Sequence, residues 1–210
     1  MIGRALGTAA LASLTTTMAW AQATPSDPPS PVALDNAYVH VARDTAPCAV
    51  ATAPGCEDRV IVAISDIEVT AGKSSRRLHK GQVAVFKKGD SYRVSGAQYF
   101  EVAIKPDHPA VKSPAEMIAP AKNQLIYDGP RFFIYEEKLA PGDIRPRHSH
   151  SQRVEIRLNI GPLLDQWFDP PKPPVLPSIV NFREAGIHTT KNVGDMALRN
   201  LIVEFKPEPK

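Results

Sequence analysis

Gly142-Asp-Ile-Arg-Pro-Arg-His148-Ser-His150-Ser-Gln-Arg-Val-Glu155 is the stretch on which the fold assignment turns. Side chains of an extended chain alternate with period two, so His148 and His150 project from one face of a strand. Two imidazoles placed this way can grip one metal ion. A third candidate ligand lies far downstream, in Ala185-Gly186-Ile187-His188-Thr-Thr-Lys-Asn192. The bland alternative for the pair is two exposed loop histidines beside Arg145 and Arg147.

These two stretches resemble the two motifs of the cupin family, G-x5-H-x-H-x4-E and G-x5-P-x-G-x2-H-x3-N. Gly142, His148, His150, Glu155, His188 and Asn192 fall on motif positions. The second motif departs from the pattern: Ser178 stands near the first glycine position, Glu184 replaces the proline, and only Ile187 separates Gly186 from His188. The resemblance implies an all-β jelly-roll barrel with one divalent transition metal (Fe, Mn, Zn, Ni or Cu) in its mouth. It implies His148, His150 and His188 as ligands, with Glu155 as a fourth. The residues themselves leave Glu155 open. In an unbroken strand Val154, Ile156, Leu158 and Ile160 would line the barrel and Glu155 would point away. A bend after His150 would reset that parity and turn Glu155, Arg157 and Asn159 inward. An inward Arg157 would then need an anionic partner, either Glu155 or a substrate carboxylate. The superfamily contains dioxygenases, isomerases, decarboxylases and hydrolases as well as non-enzymatic binding and storage proteins. Two functions therefore stand: a metal-dependent, dioxygenase-like enzyme on a small molecule, or a non-catalytic binding or scaffold protein ordered by its metal. No catalytic residue beyond the ligands is identifiable. Asp165 and Glu184 could act as acid or base if they reach the mouth, Arg183 could steer an anionic ligand, and Trp167 and Phe168 could wall the pocket.

A chain of 210 residues with 21 prolines suits strands joined by loops and can bury a sizeable core. Residues 1–21 read as a bacterial secretory leader: Arg4 in a positive start, an apolar run from Ala5 to Met18, and the small-residue site Ala19-Trp20-Ala21. Cleavage there would leave a periplasmic or secreted protein without a membrane span. In an oxidising compartment Cys48 and Cys56 most simply close a loop as a disulfide, since a metal site would lack a nearby third ligand. The net charge is +3, and the basic cluster Lys73, Arg76, Arg77 and Lys80 lacks interleaved aromatics, which reads as a solvated hairpin rather than a nucleic-acid surface. No phosphate-binding loop, dinucleotide fingerprint or nucleophile elbow occurs. A small-molecule ligand is the expected partner, and a homodimer is compatible.

Residues 22–31 form a flexible tether, 32–106 a first barrel, 107–122 a proline-rich linker with one helical turn at Pro114 to Ala119, and 123–207 a second, metal-binding barrel. Arg59-Val-Ile-Val aligns with Arg153-Val-Glu-Ile at an offset of 94, and Phe86 to Tyr92 with Phe182 to His188 at 96. Ala103-Ile-Lys-Pro106 and Glu204-Phe-Lys-Pro207 end alike. The matches point to a duplication, hence two tandem barrels. In the first, Gly81 and Gly89 keep turn positions, but Tyr92 stands where the metal-binding histidine would be and Ile61 where Glu155 would be. That barrel reads as one stripped of its metal site, with a structural or dimerising role.

Overall fold

The computed structural model describes residues 30–114, 116, 118, 123–159, 164–171 and 178–207. The expected leader and nearly all of the tether lie outside the described residues. Residues 114, 116 and 118 are not helical, so the turn of helix expected there is not seen at its described positions. Among the described residues every regular element is a strand: β1 (Val32–Asp35), β2 (Val39–Arg43), β3 (Arg59–Ala63), β4 (Ile67–Ala71), β5 (Ser74–Leu78), β6 (Val83–Phe86), β7 (Arg93–Ser95), β8 (Tyr99–Ile104), β9 (Asn123–Asp128), β10 (Phe132–Leu139), β11 (Ile144–His150), β12 (Arg153–Arg157), β13 (Leu164–Asp169), β14 (Val180–Arg183), β15 (Gly186–Asn192) and β16 (Leu198–Phe205).

These strands form four antiparallel sheets, one large and one small in each half. The first half holds β1-β2-β8-β3-β6 and β5-β4-β7; the second holds β9-β10-β16-β12-β14 and β11-β15-β13. The large sheets correspond strand for strand. Arg59 stands opposite Ala103, and Arg153 stands opposite Glu204. Those registers reproduce the sequence alignment of β3 on β12 and of β8 on β16. The alignment of Phe86 on Phe182 is out by one residue, because Arg59 faces Phe86 whereas Arg153 faces Arg183. A one-residue slip reverses the face. Phe86 accordingly enters the first half's own core, and Phe182 packs against the core between the halves.

That larger core belongs to neither half alone. Val39, Val41, Val60, Val62, Phe100 and Val102 on one side meet Phe132, Ile134, Val154, Ile156, Leu201, Val203 and Phe205 on the other. Each such side chain, once buried, contributes roughly 1.5–3 kcal/mol. Separating the halves would expose the whole layer. The apolar alternation of Val154, Ile156 and Leu158 is therefore explained by packing onto the first half, not by lining a barrel.

The opposite faces of the two large sheets differ. In the first half Ile61, Ala63, Ala84, Phe86 and Tyr99 pack with Ile67, Val69, Leu78 and Tyr92 into a second apolar core. The Cys48–Cys56 disulfide, Cα atoms 5.8 Å apart, closes a loop beside this core. Ala49 accepts a 2.9 Å hydrogen bond from the Tyr92 amide, and the Ala51 amide donates to Ser91 Oγ at 2.9 Å. The disulfide loop thus runs along the approach to β7, on the side where the second half places β11 against β15. Such a bond is compatible with an oxidising compartment. The basic cluster sits on the β4–β5 hairpin, where Arg77 and His79 pair with Asp66 and Arg76 donates to the Val83 carbonyl.

Candidate metal centre

β11 carries the two histidines expected on one strand face, and β15 carries the third. The strands pair so that His148 stands directly opposite His188, with β13 on the far side of β15 placing Phe168 opposite His188. Paired residues share a face, so all three imidazoles converge. His148, His150 and His188 are buried, and one nitrogen from each lies within 4.8 Å of the others.

Each ring is anchored through Nδ1. His148 Nδ1 donates to the Pro146 carbonyl at 2.7 Å. His150 Nδ1 lies 2.9 Å from both Glu204 Oε2 and the Tyr135 hydroxyl, and Tyr135 donates to that same carboxylate at 2.7 Å. His188 Nδ1 is 3.4 Å from Thr190 Oγ1. The carbonyl beside His148 and the carboxylate beside His150 fix those two tautomers and leave Nε2 with its lone pair. Nε2 of His148 and Nε2 of His188 are both buried without a hydrogen-bond partner. Burial, followed by repulsion from neighbouring cationic side chains, also keeps the rings neutral: His148 is lowered to about 4, against the Pro146 carbonyl that favours its charged form, and His150 and His188 lie far below their ordinary range. Neutral imidazoles with unsatisfied Nε2 atoms are the donor set a divalent transition metal requires.

Glu155 does not join the three histidines. The chain breaks at Ser151-Gln152, between β11 and β12, and so crosses from the small sheet to the large one. This resets parity and turns Glu155 inward, as the bend in the family pattern implies. Its oxygens are taken, however. Arg153 Nη2 lies 3.0 Å from Oε1, and Arg183 Nε donates to Oε2 at 2.8 Å. Burial alone would raise its pKa, but the two guanidinium groups outweigh burial and hold it lowered. The groups close enough together to share one ion are the three histidines alone, and Glu155 serves Arg153 and Arg183 as a counterion.

The remaining motif residues are structural. Gly142 has a φ of 80°, in the left-handed region where glycine is favoured, and its amide donates to Asn192 O at 2.9 Å. Asn192 Nδ2 in turn donates to the carbonyls of Leu139 and Met196. Together they clamp the turns at one end of the barrel. Among the other candidates, Phe168 stacks on His188 with centroids 5.2 Å apart, Trp167 faces solvent, and Glu184 accepts from Gln152 at 2.7 Å. Asp165 pairs in register with Lys191 and is exposed, away from the histidines.

Sequence reasoning missed the groups beneath the histidines: Tyr135, Glu137, Arg153 and Glu204. All four are buried. A signal existed in β16, where Glu204 interrupts the apolar run Leu201-Ile-Val with an acid at an inward slot. Burial raises the pKa of Glu204 despite the Tyr135 hydroxyl, and raises Glu137 despite its ion pair with Arg145.

Two spaces adjoin this cluster and share Arg153, Arg183 and His188 in their linings. An inner chamber of about 10 Å³ touches His150, His188, Arg153, Arg157 and Glu137, room for an object about the size of one water. An outer pocket of about 360 Å³ is lined by Arg153, Phe168, Phe182, Arg183, Glu184, Gly186 and His188.

No protein-family model matches the chain. No curated protein matches it either. Solved structures do. AerE from Microcystis aeruginosa superposes with a TM-score of 0.52 at 12% identity, covering 80% of this chain and 86% of that one. A cupin 2 conserved barrel domain protein from Leptotrichia buccalis gives 0.50 at 14%, covering 82% and 86%. The fold is cupin-like. At such identities the likeness concerns architecture alone, and function must come from the site.

Proposed function

We propose that this cupin-like protein binds one divalent transition metal through His148, His150 and His188 and uses it as an enzyme, of dioxygenase type, on a small molecule. The reading also takes the chain as an exported bicupin whose first barrel serves as structural support. The observation that carries the metal assignment is the pair of buried, unpartnered Nε2 atoms on His148 and His188. Leaving such atoms unsatisfied costs about 1–3 kcal/mol each, which a metal bond would offset. When bound, the metal supplies a Lewis acid with positions left over for water, dioxygen or substrate. The chain's own residues do the rest. Glu204 and Tyr135 orient His150, the Pro146 carbonyl orients His148, and the Phe168 ring on His188 keeps bulk water from that side. The small inner chamber admits a water-sized co-reactant while the substrate stays outside in the larger pocket.

Elemental analysis of the purified protein tests the assignment. About one equivalent of a transition metal per chain is expected for three protein ligands, and none in His148→Ala. A folded wild-type protein that takes up no metal after incubation with Zn, Mn or Fe would refute it.

A further inference from the structure

The outer pocket is lined by two guanidinium groups, Arg153 and Arg183, and by one carboxylate, Glu184, which accepts a hydrogen bond from Gln152 Nε2. Arg157 joins Arg153 and Arg183 around the inner chamber, with Glu137 and Glu155, while buried Arg145 lines neither space. Arg145 is engaged by Glu137, and Glu155 is shared between Arg153 and Arg183. Arg183 gives Glu155 only its Nε, and its two terminal nitrogens have no hydrogen-bond partner among the described residues. The Arg157 amide donates to the Ile179 carbonyl, but its guanidinium has no hydrogen bond or ion pair among the described residues. A guanidinium with both terminal nitrogens free offers a planar fork of the shape that receives a carboxylate. Here that fork lines both spaces, and in the outer pocket it stands with two aromatic walls, Phe168 and Phe182. Phe168 is itself stacked on His188, so the apolar wall leads directly to the candidate metal position.

We infer that the outer pocket takes a small monocarboxylate with a planar apolar body: Arg183 receives the carboxylate, and the body lies against Phe168 and Phe182 beside His188. The inference rests on reading this pocket as the substrate site of the metal centre. Glu155 has a positioning role in it, since by holding Arg183 Nε it presents the other two nitrogens to the pocket. A volume of about 360 Å³ lies at the lower end of the range for ligand pockets, which suits a body of one ring rather than a nucleotide or an oligosaccharide.

Benzoate is the probe, with benzamide as its neutral isostere and inorganic phosphate as a non-planar anion, titrated calorimetrically into the metal-loaded and the chelator-stripped protein. Benzoate is expected to bind more tightly than benzamide or phosphate by about tenfold or more, the worth of one charge-assisted hydrogen bond. The preference should survive stripping, because Arg183 is not a metal ligand, and should disappear in Arg183→Gln with metal content unchanged. The benzoate–benzamide comparison in the unmutated protein stands even if that variant folds poorly. Equal binding of benzoate and benzamide, or phosphate matching benzoate, overturns the inference. So does benzoate binding that vanishes on stripping but persists in Arg183→Gln, which would put the carboxylate on the metal and leave the metal assignment standing. Benzoate selectivity in a protein that never takes up metal would instead uphold the Arg183 site and sink the metal reading.

Discussion

The two halves share a strand order and a register but not an interior. Under the first large sheet Ile61, Ala63, Ala84, Phe86 and Tyr99 surround two buried charged residues, Arg59 and Glu101; under the second lie Tyr135, Glu137, Arg153, Glu155, Asn200 and Glu204. The shared apolar layer explains how this is tolerated. Folding is driven from the face that joins the halves, which leaves the other face of the second sheet free to hold charge. The small sheets differ for a second reason. The first half lacks the strand that carries the paired histidines, and a disulfide loop takes its side of the barrel. Tyr92 and Glu101 hydrogen-bond to each other there, with the Cys48 amide donating to Glu101 at 2.9 Å. A buried carboxyl is thus satisfied by hydrogen bonds from the protein itself.

The comparison can be broken at the charged interior first. Glu155→Gln removes the carboxylate shared by buried Arg153 and half-buried Arg183, and losing one partner of a buried pair costs about 3–5 kcal/mol. Urea unfolding should show that loss while elemental analysis shows the metal retained. A variant that keeps its stability but loses its metal would make Glu155 a ligand after all. Next comes the loop that stands in for β11: Cys48→Ser with Cys56→Ser should cost about 2–3 kcal/mol from loop entropy alone, without changing metal content. Loss of metal in that variant would mean that the two halves are coupled beyond their shared core.

The smallest effect concerns Glu101. Burial raises its pKa above the ordinary 4.5, although the Tyr92 hydroxyl, the Cys48 amide and Arg59 act the other way. A carboxyl whose pKa is raised on folding contributes its stability in full below the unfolded pKa and loses it as pH rises through the folded one. The wild-type melting temperature should therefore include a component that declines above pH 4.5. Glu101→Gln, which cannot ionise, should flatten the profile there. An unchanged slope would show that the Glu101 carboxyl is not destabilised in the first half's core.

Much of this was readable from residues 142–155 and 185–192. Period two places His148 and His150 on one face, and the turn glycine and Asn192 mark where β11 and β15 meet. Parity was the obstacle at Glu155. The alternation Val154, Ile156, Leu158 is a strong apolar signal, but a sheet has two faces, and sequence does not say which one packs on the neighbouring half. The same ambiguity hid Arg153 and Glu204, whose inward positions follow from the break at Ser151-Gln152. The one-residue error at Phe182 has a related origin: aromatic residues occupy both faces, and only the register with Arg153 separates them.

X-ray absorption at the zinc edge of the zinc-loaded protein tests the central claim most directly. Three imidazole nitrogens at about 2.0–2.1 Å with one or more water-derived oxygens are expected, from residues 148, 150 and 188. A spectrum with fewer than three imidazoles, or one unchanged by His188→Ala, would contradict it.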